Sequence, residues 1–277
     1  MNIDAFGLPV QADGDNKDQL QRVGMIDLAT ELHSASTDLM ALANQCCHAL
    51  TSNKYLQPMP GVYVRHVGGD PANVSADQLI PVLAAHVARR DVRQVARMAW
   101  TCVKRLGFAQ NYKDGLNGTE RTKIPDFMLL RALPLFARAH ACLYPMALVV
   151  DALLVLATAA SVGPIFRDDK LLPTRRSPDD VDDNCIITTL VTCRAVMPTP
   201  LSYMASRLYA RLRPWNYGCT GVRDFASIYP DVPPGHFLEP YKHSPAYGAL
   251  RWYHRAEAGG NPEIAELWRP LVRRYLS

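Results

Sequence analysis

The chain has 277 residues, 48% of them hydrophobic and 20% charged, with a formal net charge of +4. A chain of that length buries a sizeable core without disulfides or metals, and that composition excludes disorder. The 30 basic and 26 acidic residues are evenly spread, and the pairs Arg89-Arg90, Arg175-Arg176 and Arg273-Arg274 fall near expected helix ends, so no nucleic-acid partner is expected.

In chain order, residues 1–16 combine Gly, Pro and Asp without periodicity and read as an extended N-terminal arm, ahead of a single helical domain over 17–277. The opening Met1 to Val10 lacks a basic region and a long apolar stretch, so no secretion signal is expected. From Lys17, apolar residues recur at Leu20, Val23, Ile26 or Asp27, Ala29 and Leu32. After an interruption at 34–37 they resume at Leu39, Leu42, Ala43 and Cys46, giving two helices or one broken helix. The Pro- and Gly-containing stretch that follows is a loop with one strand-like run from Gly61 to Val67.

Ser75 and Gln78 have the spacing of a capping box, which predicts a helix from Asp77 to about Arg89. Asp91 then caps a helix carrying Val95, Met98, Cys102 and Leu106, stopped by Gly107. A long polar loop over 108–126 leads to another helix running to about His140, kinked at Pro134.

From Ala141 to Gly163 the chain is apolar over nearly a membrane span. Asp151 near its centre and Tyr144-Pro145 at its start favour a helix buried on all sides instead, so no membrane span is expected, and Asp151 needs a partner. Further on, Ser177-Pro178, Thr199-Pro200, Ser244-Pro245 and Asn261-Pro262 each set a capping residue before a proline, which tolerates the first helical position. The expected fold is all-α: nine or ten helices in antiparallel pairs, closed as an α/α toroid or stacked as a solenoid, with the long loops at one end. A compact bundle is the alternative.

Seven cysteines without a CxxC read as buried thiols in a reducing compartment. With no Walker loop, GxGxxG, HExxH or GxSxG either, no cofactor or metal is expected. The densest polar cluster runs from Arg167 to Asn184. Asp179 and Asp180 there suit a helix N-terminus, whereas Asp183, beside Asn184, shares a face with Ile187 and Leu190, where a carboxylate shifted by burial can act as acid or base. Asp77 and Asp126 occupy loop-to-helix junctions. In a toroid these three acids would face one cleft, and two carboxylates flanking a sugar suffice for glycoside hydrolysis or lyase chemistry. Tyr63, Tyr112, Trp215 and Tyr217 lie in expected loops and would hold the glycan, with Arg65, His66 and Asn184 as polar contacts. Each residue also has an ordinary structural role open to it.

The segments FGLPVQADGDNKDQLQRVGM, GVYVRHV with SADQL, KIPDF, DDVDDN and MPTPLS, in that order, resemble a group of helical proteins of tailed bacteriophages. The resemblance covers most of the chain, although Ala76 stands where an Arg would precede Asp-Gln. It implies a virion or tail-associated protein, found in the virion or in the host cytoplasm during assembly, with an α/α-toroid-like shape. Two functions then stand: a glycan-binding or glycan-cleaving cleft built on Asp77, Asp126 and Asp183, or a structural adaptor that contacts phage proteins through its N-terminal arm.

Overall fold

The computed structural model describes residues 2–10, 18–33, 37–52, 54–69, 74, 76–104, 128–162, 180–212 and 262–276. Among these, 73% are helical and the only sheet has two strands, so the fold class is all-α. Where one helical domain is expected after residue 16, the chain groups into two compact units, Met1–Tyr144 and Pro145–Ser277.

Unit 1 is built around α1 (Gln19–Leu32), which is buried without interruption from Gln19 to Ala29. A helix with no solvent face has to be enclosed by other elements. α3 (Ala76–Ala88) and α2 (Thr37–Thr51) make most of that enclosure. The closest approach is at Gly24, where an added Cβ would lie 2.8 Å from the Val82 nitrogen and 3.0 Å from Pro81. Pro81 stands inside α3 and has no N–H to give its helix, while Gly24 has no side chain to hold the helices apart.

The first residues are a correction to the expected extended arm. β1 (Asn2–Ile3) and β2 (Pro9–Val10) form an antiparallel hairpin, with Leu8, Pro9 and Val10 buried. The Asp4 carboxylate closes the turn by accepting from the backbone of Phe6 at 2.8 Å and Leu8 at 2.9 Å. Gln45 from α2 donates to the Phe6 carbonyl at 2.7 Å, and Gln19 from α1 to Asp4 at 2.6 Å. An Asx-type turn closed by a side chain carries no hydrophobic period, and the anchoring glutamines are far away in sequence.

α3 ends one residue before the expected Arg89. Arg90 takes a left-handed conformation at φ 58°, and the Asp91 and Arg90 amides return to the His86 and Val87 carbonyls at 2.9 and 3.0 Å. This is a Schellman closure with Arg where glycine is usual. It delivers Asp91 to cap α4 (Val92–Lys104), whose Gln94 amide donates to Asp91 Oδ1 at 3.1 Å. α5 (Met128–Phe136) carries Pro134, and a short 3₁₀ turn follows at Ala141–Leu143.

All but the first residue of α6 (Tyr144–Val162) belongs to unit 2. No helix among the described residues is long and apolar enough to cross a membrane. The expectation of burial on all sides is corrected: Ala147, Val150, Asp151, Leu154 and Thr158 are buried, whereas Met146, Val149, Leu153 and Leu156 are exposed. Asp151 has its partner, for the Thr199 hydroxyl donates to its Oδ2. That threonine also caps α8 (Pro200–Leu212), accepting from the Ser202 amide at 3.0 Å while Ser202 Oγ accepts from the Thr199 amide at 2.9 Å. It is a reciprocal cap with Ser in place of the usual Glu.

The core of this unit joins α7 (Asp180–Val196), α8 and α9 (Pro262–Leu276) through Ile187, Leu190, Tyr209, Trp268 and Leu271. Arg194 binds the three together. It donates to the Tyr275 carbonyl at 2.7 Å and lays its guanidinium 3.6 Å from the Tyr203 ring centroid. Helices begin at Pro200 and Pro262 as the cap-proline pairs predict, while the starts at Pro178 and Pro245 lie outside the described residues.

Candidate functional site

Two polar clusters organise unit 1, and both converge on the loop over 54–69. The first holds the loop's far end. Arg65 donates to Asp18 at 2.7 Å, Gln78 donates to the same oxygen at 3.1 Å, and the Val67 amide reaches Gln19 at 3.1 Å. The Arg65 carbonyl accepts from the Leu20 amide at 2.9 Å, so the loop seals the start of α1. His66 turns its Nδ1 to the Val67 carbonyl at 3.0 Å.

The second cluster is the densest buried polar group described in unit 1 and centres on Tyr63, which has no exposed surface. Its hydroxyl accepts from Gln57 and from Gln94, each at 2.9 Å, and lies 2.8 Å from His86 Nε2. A phenol has two lone pairs and one hydrogen. His86 Nε2 and the Leu50 carbonyl, the latter 3.3 Å away, both stand within reach of that hydrogen. On the other side of the ring, His86 Nδ1 lies 3.2 Å from Arg89 Nη2 and 3.5 Å from Asp91 Oδ2. Arg97 donates to Gln94 Oε1 at 3.3 Å, which fixes the orientation of that amide.

Arg89 also bridges to Asp27 of α1, joining the central helix to the α3–α4 corner. Burial pushes the Asp27 carboxyl up to about 6, against the pull of Arg89. Burial and the Arg89 charge push His86 down to about 3, while Asp91 opposes them, so the imidazole is neutral at pH 7. Burial raises the Tyr63 phenol and the Cys46 and Cys47 thiols above their ordinary values. Shifts of this size often mark catalytic groups. A general acid or base has to reach its substrate, however, and here Tyr63, His86, Gln57 and Gln94 are all buried and bonded to one another. What this arrangement supports is a buried hydrogen-bonded lock between loop, α1, α3 and α4.

The residues expected to line a cleft are distributed as follows. Tyr63 is a core residue with no ring face open to a sugar, Arg65 is ion-paired and His66 is half-buried on the loop. Asp77 is the second residue of α3 in unit 1, and Asp183 and Asn184 lie in the first turns of α7 in unit 2; their side chains are outside the described set. Tyr112, Asp126, Trp215 and Tyr217 lie outside the described residues. Sequence reasoning passed over Asp27, Gln57, His86, Arg89 and Gln94. A signal was present for two of them, since Asp27 falls on the apolar period of α1 and His86 interrupts the run from Leu79 to Val87.

Among the described residues no group of His, Cys, Asp or Glu is arranged to hold a metal ion. Cys46, Cys102, Cys185 and Cys193 are buried, Cys47 is half-buried and Cys142 exposed. No family model, curated protein or solved structure matches the chain.

Proposed function

We propose that this chain is a non-enzymatic adaptor or structural component of a tailed-phage particle that docks through α6. The observation that carries this reading is the row Met146, Val149, Leu153 and Leu156, which are 51, 70, 53 and 65% exposed. They recur at three, four and three residues along one face, the spacing by which helices pack on one another, and an uncharged apolar row of this kind marks an interaction surface. The only carboxylate of α6, Asp151, is buried and occupied by Thr199. The sequence resemblance supplies the particle. The docked N-terminal hairpin moves the expected contact from an extended arm to this helix.

The competing reading closes the helices into an α/α toroid or solenoid and has Asp77, Asp126 and Asp183 bind or cleave a glycan. One pair of assays separates the two. The full chain is incubated with a panel of bacterial polysaccharides while new reducing ends and unsaturated products are followed, and wild type and Val149→Glu/Leu156→Glu are compared by sedimentation over a range of concentrations. The adaptor reading expects no cleavage and a concentration-dependent association that the two charges abolish. Cleavage that disappears in Asp183→Asn replaces it with the glycan reading.

A further inference from the structure

α4 gives its core side to unit 1 and turns two different strips outward. Gln94, Val95, Met98 and Cys102 are buried. At 100° per residue, Val92, Ala96, Trp100 and Val103 form one adjoining exposed strip, and exposed Arg93 and Lys104 with half-buried Arg97 the next. Trp100 is 59% exposed, and Lys104 Nζ stands 5.4 Å from its ring centroid. The helix contains no carboxylate. Asp91, the nearest acid along the chain, is engaged with the Gln94 amide and His86. Among the described residues, no carboxylate pairs with Arg93, Arg97 or Lys104.

We propose that this face of α4 docks an acidic amphipathic helix of a partner protein, its apolar ridge over Trp100 and its carboxylates along Arg93, Arg97 and Lys104. The argument is charge complementarity joined to helical spacing. The cations flank the apolar strip on one side only, so a helix with one apolar and one acidic ridge matches both strips in a single orientation. A helix lying in an anionic bilayer carries its cations on both sides of the apolar face. A single-stranded nucleic acid needs successive rings for its bases, and Val92, Ala96 and Val103 offer none. The inference rests on the adaptor reading in taking the occupant to be a protein, and it concerns a different helix from the row on α6.

The test uses the full chain and three probes: a fluorescent helical peptide of Leu and Glu patterned as two adjacent ridges, phosphatidylcholine vesicles containing phosphatidylserine, and oligothymidine. Anisotropy is expected to show the Leu–Glu peptide binding, with affinity lowered at least about tenfold by Arg93→Glu/Lys104→Glu and again by Trp100→Ala, while the thermal midpoint stays at the wild-type value. A peptide with Lys in place of Glu is expected not to bind. Failure of the Leu–Glu peptide to bind overturns the proposal, as does binding that these substitutions leave unchanged, or capture of vesicles or oligothymidine that they abolish. Peptide binding lost while the α6 association persists removes the α4 inference alone. Glycan cleavage removes the adaptor reading.

Discussion

The two units bury polar side chains in different ways. In unit 1 several buried polar groups bond to partners far along the chain: Tyr63 to His86 and Gln94, Asp27 to Arg89, Asp18 to Arg65 and Gln78. In unit 2 described hydroxyls turn back on their own helix at Thr192, to the Thr188 carbonyl at 2.7 Å, and at Ser202, to the Thr199 carbonyl at 2.9 Å. Asp151 with Thr199 and Arg194 with Tyr275 reach further along the chain. A long-range bond specifies which elements meet, and deleting one partner leaves others buried and unanswered. A local hydroxyl bond duplicates what the helix backbone already provides. Unit 1 therefore concentrates its fold specificity in polar side chains, whereas unit 2 relies on apolar contact and helix caps.

The contrast breaks most visibly at Tyr63. Tyr63→Phe leaves His86 Nε2 without its phenol partner and two glutamine amides without their acceptor, and a loss of about 3 kcal/mol is expected in urea unfolding followed by circular dichroism. A loss below about 1 kcal/mol would show that the hydroxyl does not organise the corner.

A smaller effect is written in pH. The folded chain holds His86 at about 3, below its ordinary 6.5, so the unfolded chain takes up that proton first. His86 therefore supports the fold above pH 6.5, and that support is lost as pH falls toward 3. Asp27 runs the other way, at about 6 in the fold against an ordinary 3.8, so its contribution is full below 3.8 and is lost as pH rises through 6. Between about pH 4 and 6 the two slopes, each about 1.4 kcal/mol per pH unit, oppose one another. Wild-type stability should gain no net pH dependence from this pair. In His86→Gln the Asp27 slope stands alone, so stability rises from pH 6 to pH 4 relative to wild type; identical profiles for the two proteins would refute the assignment.

At the small end, Thr192→Val in unit 2 exchanges a self-directed hydroxyl for a methyl and should move stability by no more than about 0.5 kcal/mol in the same assay. A cost comparable to that of Tyr63→Phe would erase the distinction between the units.

What was legible in the sequence follows the same division. Helix starts at Pro200 and Pro262 and the Asp91 cap were readable because capping is settled within four residues. The hairpin at the N-terminus was not, since Asp4 closes it and Gln19 and Gln45 hold it from elsewhere in the chain. Tyr63 sits in a stretch rich in glycine and proline, where an aromatic signals a loop anchor and a ligand platform equally well; only the approach of Gln57, His86 and Gln94 separates the two. In α6 an apolar pattern on every side could not reveal which side is covered. Of the three expected catalytic acids, the sequence placed Asp77 and Asp183 correctly in the opening turns of helices, a local matter, while their meeting in a cleft would be a long-range one.

The contact between Gly24 and Pro81 carries an evolutionary consequence. A backbone nitrogen 2.8 Å from where a Cβ would stand cannot rotate away as a side chain does. Any descendant of this chain that acquires a side chain at position 24 must move α3, and with it the corner that carries His86 and Arg89. Substitutions at 24 should therefore be inherited together with compensating changes around 81 and 82, so that the helix crossing leaves a trace of paired replacement in diverging sequences.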